Sequence, residues 1–455
     1  MSIGRFPTFT EVQNRNDPLT ALIFPLIDPF IPALLDNTLQ RQQPLPRHFN
    51  LLTPSRMLRF QLLQATRPEI SFQEVLREVW HSWRMAGLVD AGIPSSSALA
   101  QARSRLPVWP GTMLLKHTAS LADLFALHPH WPHHRLLSID GTYLCLPRDP
   151  QLLAHFGTTR NQYGDTYFPQ ALGVWVTLVQ RQIVLAERLG VAKDTDETIA
   201  PHLLSKVVRP NDLILGDAHF GHYPTLSVIH SSKAFFLMRS PTHLTKKLDL
   251  LPKFDEIHLP LELSPDMSLK YSTLSLPPRI DVRALKYTIP SRDNLNGTEE
   301  AYFLTNLPAK EFTHAQLASI PPLRWNHETL NNDVKSRLGL GHIRSLSPDG
   351  VYHEILAHLC VSNVIRLYLA QSYPEALDMG SFTAAATAIR QSNQQLRIFP
   401  DRKQQIFDLL YEMILDQPVP HRPQRTEPRR LRPRRRPFDT FTTPRSDWRE
   451  KRKAG

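Results

Sequence analysis

The chain has 455 residues, 41% of them apolar and 21% charged, a globular balance with enough length for two or three domains around sizeable cores. Its two cysteines, Cys145 and Cys360, exclude a disulfide framework and a thiolate zinc site and point to a reducing compartment, the cytoplasm. The net charge of +11 is unevenly placed: residues 421–455 carry 13 Lys or Arg against four acids, so +9 lies in that tail and +2 in the other 420 residues.

The start of the sequence lacks the basic, apolar and small-residue order of a secretory leader. The most apolar early stretch, Leu19 to Leu35, is interrupted by Pro25, Asp28, Pro29 and Pro32, which argues against a spanning helix. Residues 1–130 read as helical. Thr53-Pro54 opens a run from Met57 to Thr66, with proline in the first turn where its missing N–H costs little. Ser71 and Glu74 form a capping box before Val75, Leu76, Val79, Trp80 and Trp83, and Gly87 is placed to end that helix. Ser95–Ser97 starts another helix through Leu99, Gln101, Arg103 and Arg105. Two helices around a short turn, the second bearing small polar and basic residues, could enter a DNA groove, but such spacing is weakly specific and a plain helical bundle is the default reading of these residues.

The rhythm changes near residue 133. Leu136–Leu146, Ala171–Val179 and Ile183–Leu189 read as strands, the last two as a hairpin; Thr198–Val207 reads as a helix. Leu213–Leu215 is a short strand ending at Gly216-Asp217, followed by a helix over Tyr223–Ile229 and a strand over Ala234–Met238. Strand crossovers of this kind place helices against the sheet, so this region is an α/β unit. Between 240 and 305 the pattern turns β-rich: Ile257, Leu259, Leu261 and Leu263 alternate, Leu269, Tyr271 and Thr273 do likewise, and Ile280–Ile289 and Tyr302–Leu304 follow. Helix returns at Pro322 and continues with breaks to about Leu415. The tail, centred on R-R-L-R-P-R-R-R, cannot bury a core and reads as a solubilising end or as an attraction for DNA phosphates that salt would weaken.

Three acids stand out. Asp140 interrupts the apolar strand L-L-S-I-D-G-T-Y-L, and a buried carboxylate is costly unless paired or bound to a metal. Asp217 follows the strand L-I-L-G, where ligand sites cluster in open α/β sheets. Glu328 lies on the helix L-R-W-N-H-E-T-L-N-N-D-V-K, where Arg324, Glu328, Asn331 and Lys335 share one face, and an apolar face through Leu323, Leu330 and Leu338 indicates docking. Three carboxylates converging from two strands and a helix suit hard divalent cations, which activate water or a 3′-hydroxyl for in-line attack on phosphate; Arg324 and Lys335 would hold the DNA backbone. Singly, each acid is equally well read as a structural ion-pair partner. Competing constellations are weaker. H-P-H-W-P-H-H at 128–134 reads as an irregular linker. The histidines of H-E-I-L-A-H at 353–358 lie too far around a helix to share a metal, and Asp165, Asp194, Asp196 and Glu197 read as surface or cap residues. With no phosphate-cradling glycine loop, no nucleotide cofactor is expected.

The ordered acids, the strand pattern and the helix motif resemble the DDE transposases of the insertion-sequence-four group, whose signature is Y-x2-R-x3-E-x6-K. Arg324, Glu328 and Lys335 match it at the signature spacings, D-G-T at 140–142 also fits, and the resemblance covers roughly residues 90–435. It departs at Pro321, where the signature has Tyr, and at Ala218-His219, where the family often has a basic residue after the second Asp. Residues 240–305 contain no Trp, leaving Tyr271, Tyr287 or Phe254 to stack a flipped base if a hairpin intermediate forms.

The resemblance implies an α/β, ribonuclease-H-like catalytic domain interrupted by a β-rich insertion, with an N-terminal helical domain and C-terminal helices. Its expected boundaries are a DNA-end-binding region 1–130, catalytic core 131–239, insertion 240–305, the Glu helix in 306–345, helices 346–418 for dimerisation, and a basic tail 419–455. It further implies Asp140, Asp217 and Glu328 as catalytic ligands of two Mg²⁺ or Mn²⁺ ions, and Arg324, Asn331, Lys335, Arg103 and Arg105 as DNA contacts. The expected partners are double-stranded DNA, at element ends and target, and a second copy of the chain; no membrane is expected. The expected activity is cutting and joining DNA in the cytoplasm, at the nucleoid. A structure-specific nuclease that does not join, or an inactive DNA-binding derivative, would share these features.

Overall fold

The computed structural model describes residues 18–41, 51–90, 92–125, 127–128, 131–161, 164–290, 297–374 and 380–419; the basic tail expected to meet DNA lies outside these residues. The sheet is built from β1 (Leu127–His128), β2 (Trp131–Cys145), β3 (Gln170–Leu178), β4 (Ile183–Gly190), β5 (Asp212–Gly216), β6 (Phe235–Arg239), β7 (Glu256–Glu262), β8 (Arg279–Pro290) and β9 (Thr298–Thr305). Its order is β4-β3-β2-β5-β6-β9-β8-β7, with β1 paired to the start of β2. β5 runs parallel to β2 and β6 parallel to β5, while the remaining pairs are antiparallel. Parallel neighbours need crossovers, and the helices that supply them cover the sheet.

The segment 240–305 is not a separate β body. β9 pairs with β6, so β7, β8 and β9 extend the main sheet. Two local expectations change. Residues 265–270, expected near a strand, form a short helix because Ser264 caps it through Met267 N–H and Pro265 stands in the first turn. The histidine-rich segment expected as a linker starts β2, with Trp131 buried and His134 Nδ1 bonded to the Asn211 carbonyl at 3.0 Å.

The helices before the sheet are α1 (Ala33–Arg41), α2 (Pro54–Ala65), α3 (Phe72–Met85), α4 (Ser96–Ser104) and α5 (Trp109–Leu121). Ser71 caps α3 as expected, accepting from Glu74 N–H, and Gly87 leaves the helix at φ +68°. Within the sheet region lie α6 (Pro150–Phe156), α7 (Asp196–Leu204), α8 (Tyr223–Ser231), α9 (Thr242–Leu248) and α10 (Pro265–Lys270). After the sheet come α11 (Trp325–Asn332), α12 (Pro348–Ser372), α13 (Phe382–Ile398) and α14 (Lys403–Leu415). No described helix is long and apolar enough to cross a membrane.

Two devices fasten the helical layer. α2 is buried almost throughout, so its two arginines must be satisfied internally. Arg59 reaches Asp28 at 2.6 Å, Asp36 at 3.0 Å and Ser55 Oγ at 2.7 Å, tying α2 to α1 and the turn before it. On α12, buried Asn363 accepts from Val184 N–H and donates to the Val184 carbonyl, both at 2.8 Å. Its amide thus completes the edge of β4 as another strand would.

Removing one partner from a buried ionic cluster leaves uncompensated charge, at a cost of about 3–5 kcal/mol. Arg59→Ala should therefore lower unfolding free energy by that order in urea titrations. A loss near zero would mean the two aspartates do not depend on it.

Candidate active site

β2 carries two rows of side chains. Leu136, Ser138, Asp140 and Thr142 share one face, and Leu137, Ile139, Gly141 and Tyr143 share the other. The parallel ladder pairs Arg135 with Asp212 and Ser138 with Leu215. Continuing that register by two residues would match Asp217, one residue past β5, with Asp140 on the neighbouring strand, and its charge does act on the Asp140 carboxyl.

α11 lies along the Asp140 face. Pro321–Arg324 forms a 3₁₀ turn, α11 follows, and Asp333–Arg337 closes in a π-helical turn. Two side chains of α11 and one from the π-helical turn meet three successive rows of β2. His327 Nδ1 lies 2.9 Å from Ser138 Oγ and 3.2 Å from Thr177 Oγ1. Asn331 donates to Asp140 Oδ2 at 3.3 Å, and Lys335 donates to Thr142 Oγ1 at 2.5 Å and the Tyr143 carbonyl at 3.0 Å. Burial, reinforced by the Arg324 charge, lowers His327 to about 3, so it is a neutral anchor. Burial also holds Lys335 below its ordinary value, against the pull of Asp140.

Asp140 is half-buried, and burial first pushes its carboxyl up to about 7; Arg324 opposes this, Asp217 and Glu328 add to it, and the Gly141 N–H bond lowers it. Glu328 is 53% exposed and bonded to Arg324 at 2.9 Å. Arg324 is thus shared between Glu328, by contact, and Asp140, through its field. Asp140 and Asp217 offer hard oxygen donors whose mutual repulsion suits a divalent cation. Glu328 is not gathered with them: among the described residues no three His, Cys, Asp or Glu stand close enough to hold a metal ion.

Other expected site residues are placed differently. Asn331 and Lys335 contact β2. Arg103 bonds Ser345 Oγ at 2.6 Å, approaches Glu354 at 3.8 Å and lies over Phe72, fastening α4 to the segment before α12. Arg105 is half-buried at the C-terminal cap of α4. The candidate stacking aromatics are engaged in packing: Tyr271 donates to the Glu197 carbonyl, Tyr287 stacks on His314 at 4.3 Å, and Phe254 packs against Tyr302.

Three further residues lie at this end of the sheet: Asp196, which reads as a surface or cap residue in the sequence, and Trp175 and Trp325, which do not stand out there. Asp196 comes from the opposite face of the sheet, where a Cβ on Gly141 would overlap its Oδ1; burial and then Asp217 raise its carboxyl. Its signal was the glycine after Asp140. Trp175 is Asp140's cross-strand partner, which no local pattern reveals. Trp325, beside Arg324, is 60% exposed.

Residues 131–364, slightly more than half the chain, match the family model described as transposase DDE domain. The chain is 25% identical over 281 residues to the transposase InsG for insertion sequence element IS4 of Escherichia coli (strain K12). That match covers 59% of this chain and spans 60% of the length of that relative. The solved piggyBac transposase synaptic complex with hairpin DNA is similar at a TM-score of 0.42 and 12% identity, covering 91% of this chain and 88% of that one.

The raised Asp140 carboxyl makes the metal-free folded chain bind a proton that the unfolded chain releases near pH 4. This contribution is full below about pH 4 and is lost as pH rises through about 7. Asp140→Asn should melt a few degrees above the wild type at pH 8 in chelator, with the gap closing toward pH 4. Parallel melting curves across that range would show that Asp140 carries no such penalty.

Proposed function

The chain belongs to the transposase DDE-domain family, and on that premise we propose that it is of the insertion-sequence-four type, nicks DNA at the ends of its own element and joins the freed 3′-hydroxyls to target DNA. The observation that supports this reading is the parallel register of β2 and β5, which runs Asp140 and Asp217 toward one end of the sheet, where the charges of Asp217, Arg324 and Glu328 all act on the Asp140 carboxyl although Glu328 itself stays paired with Arg324.

In this reading β4-β3-β2 followed by parallel β5 and β6 is a ribonuclease-H-like core. Asp140 and Asp217 would hold Mg²⁺ or Mn²⁺, with Glu328 completing the set. Such ions, when bound, supply Lewis acidity to the phosphoryl oxygens and lower the pKa of the attacking hydroxyl. Arg324 has two anionic demands on it, the Glu328 carboxylate and a DNA phosphate. A phosphate drawing the guanidinium away would free Glu328 to turn toward Asp140, so strand binding and completion of the carboxylate set become linked. Exposed Trp325 offers a ring face next to Arg324 for an unpaired base. Lys335, bonded to Thr142, fixes the far end of the helix and keeps a positive charge near Asp140. The N-terminal helices would read the element's ends, and the C-terminal helices would support a dimer bridging two ends.

Glu328→Gln keeps the size and the contact to Arg324 but removes the charge. Nicking of element-end DNA in Mg²⁺ should fall on the order of a hundredfold to a thousandfold, as for loss of one charge-stabilising group, while end-binding persists in gel shifts. Metal-dependent nicking at the wild-type rate would refute the assignment. Supplying pre-cut ends separates joining from cutting: a protein that nicks but never joins is a nuclease.

A further inference from the structure

Asp140 is held by two N–H donors, one on each carboxylate oxygen. Gly141 N–H meets Oδ1 at 3.0 Å and the Asn331 amide meets Oδ2 at 3.3 Å. The first follows from Asp140's own backbone. The second depends on which way the Asn331 amide points, and an amide reversed by 180° would set oxygen against oxygen.

Trp175 decides that orientation. Its indole Nε1–H can only donate, and it lies 2.7 Å from Asn331 Oδ1. The amide oxygen is therefore committed to the indole, and the NH₂ group must face Asp140. Trp175 has little freedom of its own. It is fully buried, it is paired directly across from Asp140 on β3, and its ring occupies the space where a side chain at position 173 would be. Gly173 leaves the place for the ring, the ring fixes the amide, and the amide fixes the carboxylate.

We propose that Asn331, locked by Trp175, is a positioning residue that orients the Asp140 carboxylate for metal binding, and not a DNA contact. The proposal rests on the metal-dependent reading above and deepens it. Partners behind a metal ligand set its orientation, and their loss costs roughly 10–100-fold in metal affinity or activity.

The test uses the full-length protein, with Mn²⁺ binding followed by calorimetry in the absence of DNA and nicking followed against metal concentration. Asn331→Leu keeps the volume and removes the amide; Trp175→Phe removes the indole N–H while retaining a ring. The Mn²⁺ dissociation constant should rise about tenfold in Asn331→Leu and by less in Trp175→Phe. The double variant should bind Mn²⁺ no more weakly than Asn331→Leu alone, since the indole acts through the amide. Nicking should recover at high metal, and end-DNA affinity should match the wild type. Wild-type Mn²⁺ affinity in Asn331→Leu overturns the proposal, and so does a loss of DNA affinity with the metal constant unchanged, which would make Asn331 a DNA contact. Trp175→Phe distinguishes a collapsed fold from a displaced carboxylate: a lower melting temperature with unchanged Mn²⁺ affinity also overturns it. A wild type that neither binds Mn²⁺ nor nicks defeats the functional reading, and this inference with it.

Discussion

The site exists because a helix and a strand of matched repeat lie along one another. Four residues of α-helix advance about 6 Å, and two residues of strand advance about 6.6 Å. His327 and Asn331 therefore meet Ser138 and Asp140 in step, and Lys335, carried on the π-helical turn that follows, reaches Thr142. His327 sets the register. Its ring is fully buried and neutral, and it is caught between hydroxyls of two paired strands, Ser138 of β2 and Thr177 of β3. A helix slipped by one turn would carry every contact to the wrong row. Glu328, next to this anchor, falls off the contact row and stays exposed beside Arg324.

The electrostatics of the site run against stability. Burial raises the Asp140 carboxyl, Arg324 opposes this only in part and the charge of Asp217 adds to it, while Asp196 lies against Gly141 on the other face of the sheet. Arg324 is shared rather than committed. A structural cluster would resolve such repulsion, as Arg59 does between Asp28 and Asp36 by direct contact with both. The two arrangements use the same residue types under burial: Arg59 touches both of its aspartates directly, whereas Arg324 touches Glu328 and reaches Asp140 only through its field.

The helical layers matter to the site through what they hold still. Asn363 completes the edge of β4, which supports β3 and so Thr177 and Trp175. Asp333 pairs with Arg366 on α12 and with Arg337, pinning the π-helical turn that carries Lys335. Arg103 fastens α4 to Ser345 and Glu354.

The sequence by itself determined the strands near Asp140 and Asp217, the docked helix of Glu328, the capped helix after Ser71 and the family resemblance. Each of these is local: alternation, a cap residue or a fixed spacing reflects contacts within a few positions of the chain. It also determined the three acids as candidates, since a carboxylate in an apolar run stands out wherever it lies. Only the tertiary structure decided what those residues touch. Asn331 and Lys335 look like a solvent-facing stripe on a helical wheel, and only the structure shows that both hydrogen-bond to β2, because a wheel does not say which side meets the sheet. Trp175 and Asp140 lie 35 positions apart and meet through an antiparallel register that no local pattern encodes. Asp196 reads as a helix cap and lies against Gly141 because the helix crosses the opposite face of the sheet. Pairing register and layer order are long-range properties, and they decide that Asp140 and Asp217 lie at the same end of neighbouring strands while Glu328 is exposed and paired with Arg324.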